Sequence, residues 1–139
     1  MRVRSLTTLL AVLAVLLTVP LTTAAAGTAP HGWRLVDYQQ SACFSPNVTS
    51  TWYGIWLKGT WKHPVQIGAE DLPAGGSYST SDAPIPPGSS TGIYSLAYVE
   101  VTIPATTPVG TYGATLWAKS GKVEHTVPIT LVVKARCGY

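Results

Sequence analysis

By residue type, the groups best suited to acid–base or metal chemistry are three histidines, His31, His63 and His125, and one adjacent carboxylate pair, Glu70 and Asp71. Their spacing does not assemble a catalytic site. Nucleophilic hydrolysis needs a hydroxyl or thiol beside an imidazole that a carboxylate orients, and zinc hydrolysis needs paired histidines on one helix face. Neither a G-x-S-x-G nor an H-E-x-x-H frame occurs. Glu70 and Asp71 are neighbours, so in an extended backbone they project to opposite faces and cannot act as a pair. His125 falls on the inward side of its strand, and His63 precedes Pro64 in a turn. The expectation is a non-catalytic chain with no cofactor and no metal site. The competing metal reading concerns His31-Gly32. If the mature chain began at His31, its α-amine and imidazole would together bind copper. That requires cleavage after Pro30, where the small-residue rule for signal peptidase favours Ala26 instead.

The tryptophans are the denser signal: Trp33, Trp52, Trp56, Trp61 and Trp117. Leu116 and Ala118 claim the inner side of their strand, so Trp117 points outward beside Lys119. Planar rings suit the apolar faces of sugars, and outward Trp117 with outward Tyr98 forms a candidate ligand platform. Trp52 and Trp56 alternate with Tyr53, Ile55 and Leu57, and either face of that strand can be the inner one. They are therefore either packing residues or further members of the platform. The partners this implies are an extracellular polysaccharide or another secreted protein.

The address of the chain is written in its first 26 residues. Arg2 and Arg4 precede an unbroken apolar stretch, residues 9–17, and Ala24, Ala25 and Ala26 follow. This is the pattern of a secretory signal peptide with cleavage after Ala26, and the apolar run is too short to span a bilayer. Residues 27–139 then form a single domain, exported and without a membrane anchor. The formal net charge of +3 includes Arg2 and Arg4; the remainder carries seven Lys/Arg against six Asp/Glu. Those cations are scattered singly along the chain, which excludes the clustered basic surface that nucleic acids require. Cys43 and Cys137 are the two cysteines, and in an exported chain an even pair reads as a disulfide.

The elements that must position these residues are strands. Residues 51–58 alternate as described. Residues 97–103 place Ala97, Val99, Val101 and Ile103 inward, and Tyr98, Glu100 and Thr102 outward. Residues 111–119 place Tyr112, Ala114, Leu116 and Ala118 inward, and residues 123–134 do the same for Val123, His125, Val127, Ile129, Leu131 and Val133. Ser120-Gly121-Lys122 joins the last two as an antiparallel hairpin. Weaker strands fall at residues 33–39 and 65–69. Pro128 lacks a ladder donor and so belongs at an edge or bulge. The proline-rich stretch 79–91 reads as a long loop or a crossover between sheets. About seven short antiparallel strands with turns at this spacing predict an all-β sandwich of immunoglobulin-like type.

The order Asp71-Leu72-Pro73-Ala74-Gly75-Gly76, then Val101-Thr102-Ile103-Pro104, then Pro108-Val109-Gly110-Thr111-Tyr112 and Leu116-Trp117-Ala118-Lys119 resembles the immunoglobulin-like modules of bacterial secreted proteins, which often accompany glycoside hydrolases. With Cys-Gly-Tyr at its end, the whole chain also resembles a family of small secreted actinobacterial proteins of unknown function. The motif is structural: Pro108 sets a turn, Gly110 supplies a positive φ and Tyr112 packs inward. Asn47-Val48-Thr49 matches the glycosylation sequon, which is incidental in the bacterial chain that the resemblance implies. The expected role is a small extracellular binding or structural module, with carbohydrate or cell-wall binding foremost. A protein-interaction module or secreted inhibitor and a small copper-binding protein are the alternatives.

Overall fold

The computed structural model describes residues 32–91 and 97–138. The signal-peptide expectation, its cleavage site and His31 lie outside the described residues. Among the described residues ten strand segments follow one another: β1 (Trp33–Leu35), β2 (Ser41–Phe44), β3 (Ser50–Ile55), β4 (Leu57–Trp61), β5 (Gln66–Glu70), β6 (Ser77–Ser81), β7 (Gly88–Ser90), β8 (Ala97–Thr102), β9 (Gly110–Ser120) and β10 (Val123–Val133). A four-stranded sheet runs β2-β10-β9-β5. Two three-stranded sheets run β3-β8-β6 and β1-β4-β7. β3 and β4 are consecutive stretches of one alternating run, parted only at Trp56, so the two smaller sheets share a backbone strand.

The alternation dictates the core. Tyr53, Ile55, Leu57 and Trp61 from β3 and β4 share one inner surface with Val99 and Val101 from the neighbouring β8. They pack with Ala114, Leu116 and Ala118 from β9, and with Val127, Ile129, Leu131 and Val133 from β10. Tyr53 crosses between layers: its hydroxyl donates to the Thr130 carbonyl at 3.2 Å, which gives a buried phenol its partner. The result is an immunoglobulin-like β-sandwich with the Cys43–Cys137 disulfide formed, Cα–Cα 5.9 Å. That bond ties β2 to the segment just beyond β10. Tyr112, at the start of the penultimate strand, donates its hydroxyl to the Pro108 carbonyl at 2.8 Å. This is the tyrosine-corner arrangement of immunoglobulin-type sandwiches.

Several expectations need correction. Strand β2 pairs parallel to β10, Ser41↔Thr130 through Phe44↔Val133, where antiparallel pairing was expected throughout. The stretch 79–91 is the crossover between sheets rather than a plain loop, leading from β6 in one sheet to β7 in another. It holds the end of β6 and all of β7, it buries Ile85, which bridges Val65, and its Pro86 carbonyl accepts Trp61 Nε1–H at 2.7 Å. Strand 33–39 stops at Leu35, because Asp37 Oδ1 accepts the Gln39 amide and Gln39 turns to φ 51°, sending the chain across to the other layer. Gly110 is not among the positive-φ residues; it begins β9 in pairing with Val133. Tyr112 packs against the core as expected, partly buried at the end of the row that continues through Ala114, Leu116 and Ala118. Pro128 behaves as expected: β2 covers β10 only at residues 130–133, so Pro128 lies past the end of that short partner.

Candidate functional site

Gly54 is the centre of the outer face of β3. Its register partner on β8 is Tyr98, and Trp52, two residues back, lies on the same side directly opposite Glu100. With Tyr53, Ile55 and Leu57 filling the core, the alternation forces Trp52 and Trp56 outward. The Trp56 ring folds back over Gly54. A Cβ at Gly54 would stand 2.3 Å from Trp56 Cη2, so only glycine leaves room for the indole here. Tyr38, in the crossover after β1, meets Trp56 edge to face with centroids 4.7 Å apart. Trp52 meets Tyr98 edge to face at 6.4 Å and 88°.

Four aromatic rings thus surround Gly54, and three of them are open to solvent: Trp52 is 50% exposed, Tyr38 47% and Tyr98 46%. Trp52, Ser81 and Tyr98 line a shallow open depression on this face. Polar groups border it. Ser79 Oγ donates to Glu100 Oε2 at 3.1 Å, and Ser81 Oγ accepts the Tyr98 amide at 3.2 Å. An apolar ring corner bordered by a carboxylate and hydroxyls offers both stacking and hydrogen bonding to a polyhydroxylated ligand.

Trp117 does not belong to this cluster. It projects from β9 on the outer side of the opposite layer, where it lies over Gly68 of β5 and meets Tyr78 at 6.4 Å and 88°. The expected Trp117–Tyr98 platform is therefore not formed: the two residues point outward from different layers. Trp117 is half-buried, and its neighbour Lys119 reaches Glu124 at 3.8 Å. Tyr38 fell within the weak strand expected over residues 33–39, and the strand's end at Leu35 puts it instead in the irregular crossover that carries it to Trp56. Trp52 and Tyr98 are brought into ring contact, while Trp56 lies over Gly54, the register partner of Tyr98, and pairs with Tyr38.

The charged groups are also rearranged relative to their sequence spacing. Arg34 and Lys58, 24 positions apart, are direct register partners on β1 and β4 and both are exposed, so the cations are not all scattered singly. Asp71 turns away at φ 59° and its Oδ2 accepts Thr115 Oγ1 at 3.2 Å, while Glu70 stays on β5; the adjacent carboxylates do not form a pair. His125 is half-buried with its ring edge to face on Trp33 at 4.5 Å, and His63 is exposed. Among the described residues no group of three or more His, Cys, Asp or Glu is placed to hold a metal ion. Burial pushes the Tyr53 phenol above its ordinary range, but Tyr53 lies in the core and is closed to solvent.

A family model described as a family of unknown function (DUF5980) matches residues 34–135. No curated protein matches the chain. Among solved structures it is similar to a chimeric titin Z1Z2 functionalized with a KLER exogenous peptide from decorin. That match has 19% identity and a TM-score of 0.45, covering 77% of this chain and 50% of that one. It is also similar to domains 4 and 5 of the S-layer protein SbsC, with 21% identity and a TM-score of 0.41, covering 72% of this chain and 44% of that one. The chain spans about half the length of the solved structures it matches.

Proposed function

We propose that this chain, which belongs to the DUF5980 family of unknown function, is an exported, non-catalytic module that binds extracellular polysaccharide through Trp52, Tyr98, Trp56 and Tyr38. The observation that carries this reading is the open corner between Trp52 and Tyr98, two large rings half exposed on a sheet face whose reverse side already fills the core. Solvent-exposed aromatic area of this kind costs a soluble protein solubility and gains nothing in packing, which favours a ligand role. Ser79, Ser81 and Glu100 supply hydroxyl and carboxylate partners at its border. Export is supported by the leader pattern of residues 1–26 and by the Cys43–Cys137 bond, which suits an oxidising compartment. The test is retention of the protein on a panel of immobilised polysaccharides, crystalline and non-crystalline, neutral and acidic. Trp52→Ala and Tyr98→Ala abolish retention, and Trp117→Ala leaves it intact. Passage of the intact protein through every polymer removes the reading.

A second reading rests on β6. Its sequence Ser77-Tyr78-Ser79-Thr80-Ser81 pairs with β8 on one side and ends its sheet on the other. A free strand edge recruits an extended peptide from a partner protein. This reading predicts a co-purifying protein whose release follows Thr80→Pro, with no polysaccharide retention.

A further inference from the structure

The strand that carries the aromatic rings also carries a charge pattern. Along residues 52–60 the outward positions are Trp52, Gly54, Trp56, Lys58 and Thr60, alternating with buried Tyr53, Ile55 and Leu57. Lys58 lies two residues past Trp56, about 7 Å along the strand, and six past Trp52, about 20 Å. Directly across from Lys58, on β1, stands Arg34. Cross-strand partners hold their Cβ atoms about 5 Å apart, and like charges so placed repel and weaken the sheet. Neither cation is ion-paired among the described residues; the ion pair there is Lys119–Glu124. Two exposed cations are thus held side by side, against the interest of the fold, on the same face as the aromatic corner.

The opposite end of that face is negative. Glu100 is the register partner of Trp52, and Ser79 donates to its carboxylate. The face is therefore polar along its length, with a carboxylate beside Trp52 and a cation pair beyond Trp56. The rings themselves are not coplanar: Trp52 and Tyr98 meet at 88°, Tyr38 and Trp56 at 66°. A flat crystalline polymer would need a coplanar row. A corner accepts one sugar unit of a single chain.

From this geometry we infer that the ligand is a single, non-crystalline acidic polysaccharide chain, with a neutral sugar face against Trp52 and Tyr98 and an anionic substituent between Arg34 and Lys58. The inference rests on the polysaccharide reading above and names its substrate class. The guanidinium of Arg34 presents a planar fork that suits either a carboxylate or a phosphate, and Lys58 adds a point charge beside it. Glu100 fixes the direction of the chain by repelling the anionic substituent from the Trp52 end.

Affinity electrophoresis of the intact protein separates the possibilities, using gels cast with polygalacturonate, with a phosphodiester-linked wall polymer, or with neutral xylan or dextran. Retardation is expected in one or both acidic gels and weakens as salt is raised. Which acidic gel retards the protein identifies the anion as uronate or phosphate. The double variant Arg34→Gln/Lys58→Gln binds the acidic polymer at least tenfold more weakly, while its thermal midpoint holds or rises because a repulsion is removed. Trp52→Ala also abolishes retardation. Equal retardation in neutral gels, unaffected by the double variant, overturns the acidic preference and leaves the polysaccharide reading standing. Acidic retardation that survives Trp52→Ala overturns the shared site. No retardation in any gel overturns both readings.

Discussion

Gln40 lays its carboxamide along the backbone of Gly54: Nε2 donates to the Gly54 carbonyl at 2.9 Å, and the Gly54 amide donates to Oε1 at 2.8 Å. One side chain thereby replaces a neighbouring strand on the edge of β3 that faces away from β8. The same Gln40 offers its own carbonyl to the Thr130 amide at 3.0 Å. The crossover from β1 to β2 is thus fastened to one layer by a side chain and to the other by its backbone. It also places Tyr38 against Trp56, so the edge cover and the aromatic face are one construction.

Removing that cover should cost stability. In Gln40→Ala the amide and carbonyl of Gly54 lose their partners in a part-buried setting. Leaving buried polar groups unsatisfied costs about 1–3 kcal/mol. Thermal or urea denaturation of the purified variant reads the loss. Gln40→Glu keeps an acceptor for the Gly54 amide but loses the donor to its carbonyl, so its midpoint falls between wild type and Gln40→Ala. A Gln40→Ala midpoint equal to wild type would show that the edge is solvated without penalty.

The disulfide acts on the same region from the other side. Cys43 sits in β2, whose four residues are held to β10 by a short parallel ladder. The bridge closes a sequence separation of 94 residues, and chain-entropy reasoning gives about 4–5 kcal/mol for a loop of that size. Reduction, or the Cys43→Ala/Cys137→Ala pair, lowers the unfolding free energy by about 4 kcal/mol. The amides of β2 then exchange faster than those of β9. Hydrogen exchange with and without reductant measures both effects.

The strongest alternations were legible before any coordinates. Residues 97–103, 111–119 and 123–134 present one apolar and one polar side, and burial of the apolar side leaves each a single orientation. The Ser120-Gly121-Lys122 connection set the β9–β10 pairing. Strand β6 was not legible, because Ser77-Tyr78-Ser79-Thr80-Ser81 has no apolar face and owes its place to ladder bonds with β8. Nor was the partner of Tyr98. Alternation tells which residues of a strand point outward, but not which layer the strand joins, so Trp117 and Tyr98 look equivalent in sequence and lie on opposite sides of the sandwich. Arg34 and Lys58 were invisible as a pair for the same reason: their adjacency is a property of register.

Alkaline pH should reveal Tyr53. Burial holds its phenol above the ordinary tyrosine value of 10.0, so the folded state retains the proton that the unfolded state gives up. Stability from this group is full below that value and declines as pH rises from it toward the raised folded value. Tyr53→Phe removes this alkaline decline. It also removes the hydrogen bond to the Thr130 carbonyl, at a cost of about 1 kcal/mol near neutral pH. Denaturant midpoints collected from pH 7 to pH 11 check both; an identical alkaline slope in the two proteins would show that another group governs it.

Two glycines admit indoles on opposite faces, and the proposed site uses only one of them. A Cβ at Gly54 would lie 2.3 Å from Trp56 Cη2; a Cβ at Gly68 would lie 2.4 Å from Trp117 Cζ2 and 2.8 Å from Tyr78 Cζ. In each case the obstacle is the far end of a side chain, so the indole swings away and the backbone holds. Gly54→Ala is therefore expected to fold, to shift tryptophan emission to the red as Trp56 enters solvent, and to weaken polysaccharide retention several-fold by breaking the ring corner. Gly68→Ala should give a similar spectral shift through Trp117 and leave retention unchanged. Equal loss of retention in both variants would mean that binding depends on general stability rather than on the face around Gly54. Loss in Gly68→Ala alone would move the site to the opposite layer.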